Sequence, residues 1–187
     1  MIDHLVVVAR SLDEGAKWVE ARLGAPMAEG GRHEFMGTHN RLLSLGSDVY
    51  LEVMAIDPEA PPPPRPRWFG LDSRSTREVI ARGPALIHWA ERTDDIEAAA
   101  AASDVPLDIL AFNRGPFTWR MALTRDGSLP GGGTRPTWIQ WDSAHPAASL
   151  PHSARRLVDL GAPDGEARIS TPSGVRTLPW TRAPGRE

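Results

Sequence analysis

The same order of elements occurs twice in this chain, and a duplicated unit restricts the fold more than any single motif does. Residues 2–9, IDHLVVVA, alternate, with Ile2, His4, Val6 and Val8 on one face and Leu5 and Val7 on the other, a β-branched strand pattern. SLDEGAKWVEARLG follows, with Ser11 and Glu14 spaced as a capping box and Gly24 as a stop. Its Leu12, Ala16, Val19 and Leu23 share one helical face. HEFMGTHNRLLSLG and DVYLEVMA read as strands around a Gly-Ser-Asp turn. The order then recurs. ALIHWAER is a strand, Thr93 or Asp94 opens the helix DDIEAAAAAS, and LDILAFNR, FTWRMALT and TWIQWD are strands, with the turn DGSLPGGGTRP before the last.

The first copy occupies residues 1–57 and the second residues 85–145. Residues 58–84 join them through PEAPPPPRPRW, an extended and stiff linker, and DSRSTREVIARG, a short helix. Residues 146–187 form a C-terminal extension packed on the same domain. SARRLVDLGAPDGEARISTPSGVRTLPW reads as a short helix and one or two strands around a TPSG turn, placed to cover a sheet edge or to complete a homodimer contact. The last residues, TRAPGRE, read as a frayed end.

Laying one copy on the other pairs His4 with His88, and Glu52 in VYLEVMA with Gln140 in TWIQWDS. Alternation groups Tyr50, Glu52 and Met54 on one face, and Trp138, Gln140 and Asp142 on another. A helix over each apolar face leaves these polar faces for a cleft. Two imidazoles and a carboxylate suit Zn, Ni, Fe(II) or Mn, with water in the open positions. The competing reading is that each histidine is a hydrogen-bonded core residue. Thr38 and Asn40 share a face and serve either a ligand or a local bulge or turn, while Gly30, Gly31 and Gly37 signal bends or close backbone approach. His39 points the other way, and His33 reads as exposed. Arg120, inside an apolar strand, needs an acid such as Glu52 or Asp142, or an anionic ligand. Trp119, Trp138 and Trp141 serve packing, with one as a cleft wall. His145 and His152 read as loop residues in solvent.

Composition narrows the partners. Of 187 residues 21 are basic and 24 acidic, with no basic stripe, which argues against nucleic acid. With no cysteine there is neither a disulfide nor a thiolate metal site. The N-terminal apolar run lacks a preceding basic region, so it does not read as a secretory signal, and no run approaches the roughly 20 apolar residues of a membrane span. A cytoplasmic protein without a membrane partner is expected. GGRHEFMGTHN has neither Walker spacing nor a following helix, so no nucleotide cofactor is expected. Lys17 is the sole lysine, a bias of GC-rich bacterial genomes.

IDHLVV, GTHNRLLSLG and YLEVMAIDP resemble the vicinal oxygen chelate superfamily, and within it the glyoxalase-like domain group. That superfamily includes glyoxalases, extradiol dioxygenases and fosfomycin- and bleomycin-resistance proteins. The resemblance covers roughly residues 1–145. It implies an α+β fold of paired βαβββ modules whose curved mixed sheet surrounds a central cleft. It also implies a divalent metal at His4, Glu52, His88 and Gln140; with an amide at Gln140, Glu52 is left as the catalytic base and Asp142 as the fallback. Arg120, Asn40, Thr38, Tyr50, Trp138 and Asp142 would contact a small-molecule ligand. The implied function is a metal-dependent lyase or isomerase acting on a small carbonyl or hydroxy substrate. The alternative is metal-free sequestration of the bleomycin-resistance type. Gln140 departs from the glyoxalase pattern, where a glutamate ligates metal and moves a proton that an amide cannot take up. Dioxygenase chemistry, which wants a carboxylate there, is disfavoured.

Overall fold

The computed structural model describes residues 1–182, so most of the end expected to fray, residues 183–187, lies outside the described residues. The first module consists of β1 (Ile2–Val8), α1 (Leu12–Leu23), β2 (Ala28–His33), β3 (Thr38–Ser44) and β4 (Tyr50–Ile56). Ser11 caps α1 by accepting the Glu14 N–H at 3.2 Å, and Gly24 ends it in the left-handed region. A crossover containing α2 (Arg74–Arg82) leads to the second module. That module has β5 (Ala85–Arg92), α3 (Ile96–Ala101), β6 (Leu107–Arg114), β7 (Phe117–Thr124) and β8 (Thr137–Trp141). Asp95, rather than Thr93 or Asp94, caps α3 through the Ala98 N–H.

All eight strands form one mixed sheet in the order β2-β3-β4-β1-β5-β8-β7-β6. β1 runs parallel to β4 and β5 parallel to β8, while β1 and β5 meet antiparallel. The order is the same read outward from the β1–β5 seam in either direction. Along that seam Leu5 faces Trp89, His4 faces Ala90 and Val6 faces His88. A pseudo-twofold axis through the Leu5–Trp89 pair therefore carries His4 onto His88, as the repeat requires. The chain is an α+β protein of paired βαβββ modules with a curved, partly closed sheet. β2 and β6 approach each other at its open side.

Leu5, Val7, Leu51 and Val53 pack beneath α1, against its Val19 and Leu23. Gly15 permits that approach, since a Cβ there would lie 2.3 Å from Val53 Cγ1. The same layer receives Ala167, Ile169 and Leu178 from a second sheet of β9 (Arg156–Leu160), β10 (Glu166–Thr171) and β11 (Gly174–Pro179). The extension thus covers a face of the main sheet, and just past β11 it also pairs with the stretch of β5 that β8 leaves free, through a Leu86–Trp180 bridge and the Thr181 N–H donating to Leu86 O at 2.8 Å. Its RLVDL segment is a strand where the sequence suggested a helix. Leu157 and Leu160 sit three apart, a helical spacing. A register shift opposite Arg168 and Ile169 lets both reach the layer from a strand.

On the concave face the crossover is more than a linker. Its Trp68, Phe69, Leu71 and Val79 join Val6, Val8, Met54, Met121 and Ile139 in one core. Phe69 adopts φ 56° ahead of Gly70 at φ 65°, a left-handed pair that drives both aromatic rings inward. The Gly70 N–H donates to Gly127 O at 2.7 Å. No helix of the described residues is long and apolar enough to cross a membrane.

Candidate functional site in the first-module half of the cleft

Strand alternation brings His4 from β1, Glu52 from β4, Thr38 and Asn40 from β3 and His33 from the end of β2 onto the concave face, all of them buried. The Asn40 amide is fully used. Its Oδ1 accepts from the Gly31 N–H at 2.9 Å and from Arg114 Nη1 at 2.8 Å, while Nδ2 donates to Glu52 Oε1 and lies 3.4 Å from His33 Nε2. The glycines expected to mark close approach do so here. A Cβ on Gly30 would sit 2.0 Å from Asn40 Oδ1, and one on Gly31 would sit 2.6 Å from Arg114 Cδ. His33 Nε2 faces Arg114 Nη1 at 3.3 Å, and its Nδ1 lies 3.1 Å from Thr38 Oγ1. Burial, reinforced by the Arg114 charge, pushes the His33 imidazole down to about 3, so it is a neutral acceptor at Nε2.

Behind Glu52 runs a line of ionisable groups. Glu52 Oε2 faces His4 Nε2 at 3.7 Å, and His4 Nδ1–H donates to Asp3 Oδ1 at 2.7 Å. Asp3 Oδ2 accepts from Trp141 Nε1 at 2.9 Å and His145 Nε2 at 3.1 Å, and pairs with Arg92 Nε at 3.2 Å. Burial alone would raise the Asp3 carboxyl, but the hydrogen bonds from His145 and His4 outweigh it and hold the group well below the usual carboxylate range. A register shift between Ile2 and His4 lets two consecutive residues enter the same network. The Tyr50 ring stacks on His4 at 4.7 Å. Burial first, then the charges of Asp3 and Glu52, push its phenol up.

The second module differs. His88 Nε2 meets Thr137 Oγ1 at 2.8 Å, and Nδ1 has no hydrogen-bond partner among the described residues. Burial pushes this imidazole down to about 3 as well. The Phe69 ring packs against it at 5.4 Å. Register identifies the residue related to Glu52. Val6 pairs with Glu52, and its repeat mate Ala90 pairs with Thr137. Glu52 therefore corresponds to Thr137, not to Gln140.

Gln140 lies on the opposite face of β8, where its Oε1 accepts the Ile96 N–H at 2.9 Å at the start of α3. Trp138 lies along α3 beside Ala98 and Ala102. Arg120 pairs with Glu97 at 2.5 Å and with Asp142 at 3.6 Å on that same side. In β4 the helix covers the apolar residues, as expected. In β8 it covers the polar ones, because the short, alanine-rich α3 takes its N-terminal acceptor from Gln140 and the crossover aromatics fill the concave side.

Of the ten residues expected to form the site, His4, Thr38, Asn40, Tyr50 and Glu52 come together. His88 sits on the concave face but is turned to Thr137. Arg120, Trp138, Gln140 and Asp142 lie elsewhere. Among the described residues no three His, Cys, Asp or Glu side chains form a group that could hold a metal ion. His4 and Glu52 offer two facing donors, but the expected third is committed to a hydroxyl and the fourth is outside the cleft. This donor set does not fit a three-ligand centre.

A cavity of about 600 Å³ opens between β2 and β6. His33 and Arg114 lie at its base, with Phe35, Phe112 and Trp119 among its walls. Asn40, bonded to both Arg114 and Glu52, links the cavity to the buried line behind it.

The family described as "Glyoxalase-like domain" matches residues 2–171. The chain belongs to the glyoxalase-like domain family. Among solved structures it is similar to methylmalonyl-CoA epimerase from Mycobacterium tuberculosis, at 18% identity and TM-score 0.48, covering 80% of this chain and 91% of that one. A Streptomyces coelicolor methylmalonyl-CoA epimerase variant in complex with 2-nitronate-propionyl-CoA gives 19% identity and TM-score 0.47, covering 77% and 94%. A hypothetical protein from Staphylococcus aureus gives 12% and 0.49, covering 97% and 86%. No curated protein matches the chain.

Sequence reasoning missed several residues of this glyoxalase-like domain. His33 is 6% exposed, not a surface residue. His145 is no free loop histidine. Its Nδ1 accepts the Ala147 N–H and its Nε2–H donates to Asp3. Arg114 was read as the end of a strand, yet Leu110, Phe112 and Arg114 alternate together in LDILAFNR. That alternation, with the glycine pair in β2, was the available signal.

Proposed function

We propose that this glyoxalase-like domain is a lyase or isomerase that moves a proton on a small carbonyl or hydroxy substrate, with Glu52 as the base. One observation carries the reading. The buried line Glu52, His4, Asp3 ends one residue, Asn40, short of the base of an open cavity. Burying two carboxylates around an imidazole costs desolvation that a plain core avoids, and such groups concentrate at sites of chemistry. Once a ligand displaces the Asn40 amide from Oε1, Glu52 would take the proton from the carbon next to a carbonyl, leaving the electron pair on the carbonyl oxygen as an enolate. Where that carbonyl belongs to a carboxylate, its oxygens lie on the Arg114 guanidinium, the cation available to take up the developing charge. His4, oriented by ionised Asp3, would share the proton through Nε2 before its return to carbon completes the isomerisation.

The test monitors substrate C–H exchange by NMR in D2O across small α-hydroxy and α-keto compounds. Exchange by the unaltered protein is expected, falling at least about 100-fold in Glu52→Gln, within the range of general acid–base catalysis. Ligands that bind but return undeuterated would favour sequestration instead, a reading that the aromatic walls Phe35, Phe112 and Trp119 also support.

A further inference from the structure

We infer that the cleft takes a small monoanionic carboxylate with a flat apolar body, held by Arg114. This names the substrate class of the proposed reaction, and it rests on that reading only for the proton transfer after binding.

Arg114 is unusual among the arginines near the sheet. Arg120 pairs with Glu97 and Asp142, Arg92 with Asp3, Arg125 with Asp108 and Arg135 with Asp104. The polar partners of Arg114 among the described residues are Asn40 Oδ1 and His33 Nε2, both neutral. Both contacts use Nη1, so Nε and Nη2 of its fork are not engaged by them. A half-buried guanidinium without a counter-charge is costly, and a ligand anion removes that cost. The backbone is shaped to admit the arginine, because only a glycine at Gly31 leaves room for its Cδ.

The walls define the rest of the ligand. Phe112 and Trp119 lie nearly parallel, with centroids 5.8 Å apart, and Phe35, 48% exposed at the rim, meets Phe112 edge-on at 6.1 Å. Flat apolar bodies pack well against such rings. The second cation of the lining, Arg32, is already paired with Asp57 and Glu59 and also feels the charge of Glu34, the carboxylate of the lining, which leaves Arg114 as the cation there with no carboxylate at ion-pair distance among the described residues. A planar carboxylate matches a single guanidinium fork bidentately, whereas a phosphate dianion would leave charge uncompensated.

Calorimetric titration with benzoate and phenylacetate, with their neutral amides benzamide and phenylacetamide, and with inorganic phosphate tests this. Each acid is expected to bind at least 10-fold more tightly than its amide, and more tightly than phosphate. Arg114→Gln is expected to abolish the preference while retaining amide binding, and Arg114→Lys to restore part of it. Amides binding as well as acids, phosphate binding more tightly, or a preference that survives Arg114→Gln would overturn the assignment. The acid–amide comparison on the unaltered protein decides the matter even if the Gln variant does not fold. Absence of proton exchange alongside an intact acid preference would remove the enzyme reading and leave this one standing.

Discussion

At positions related by strand register, His33, Thr38, Asn40 and Glu52 of the first module stand where the second has Phe112, Trp119, Met121 and Thr137. Both modules keep the histidine of their opening strand, and each histidine faces its own module's residue on the neighbouring strand. Before His4 comes Asp3, a charge bound by four neighbours; before His88 comes Ile87, a core residue. The repeat has kept backbone register while dividing the work. One half holds the ionisable groups and the other supplies apolar walls and packing. A shared histidine therefore says little about shared chemistry; the residue it faces says more.

The largest contrast is expected from Asp3. Asp3→Ile, which copies the second module, leaves His4, Trp141, His145 and Arg92 without their acceptor. It should cost about 3–5 kcal/mol, as breaking a buried charge network does. Ile87→Val should cost about 0.5–1.5 kcal/mol. Both are read from urea unfolding midpoints, and equal losses would show that Asp3 is ordinary core.

A smaller effect concerns the histidines that both halves hold neutral. His33 and His88 remain unprotonated in the folded chain down to about pH 3. The unfolded chain protonates them near 6.5, so it binds more protons between those values. Stability is fully present above about pH 6.5 and is lost as the pH falls toward 3, by up to about 1.4 kcal/mol per pH unit for each histidine. Asp3 adds to the loss only below its ordinary range, so denaturation between pH 6.5 and 4.5 isolates the imidazoles. His33→Gln and His88→Gln should each flatten the slope by one proton. An unchanged slope in either variant would mean that its imidazole is charged when folded.

The smallest effect is expected at Gln140. Gln140→Glu keeps an acceptor at the start of α3 and should change stability by less than about 0.5 kcal/mol, with Zn and Ni affinity unaltered. Tighter metal binding in that variant would return Gln140 to the cleft.

The fold was legible because duplication repeats its signals: paired opening strands, a capped helix, and glycine-marked turns. Half of the site was legible too, since β4 separates Leu51 and Val53 cleanly from Tyr50, Glu52 and Met54. β8 carries no such contrast. Trp138 and Trp141 fall on opposite faces, so polarity could not set its phase, and the inverted assignment carried Gln140, Asp142 and Arg120 with it. Counting along the sequence also misaligned Glu52 with Gln140, because the turns of the two modules differ in length and only strand pairing fixes the match. The prolines of residues 58–68 masked Trp68 and Phe69 as spacer, although two adjacent aromatics seldom end in solvent.

The crossover has a consequence for assembly. Copies of a duplicated chain can dimerise by trading modules through the segment between them. Here most of that segment lies at the surface, but Trp68 and Phe69 are wedged into the interior among residues of both halves. Trading modules would first require extracting those rings from the interior. The connector thus acts as a rivet, committing each chain to closing upon its own second half.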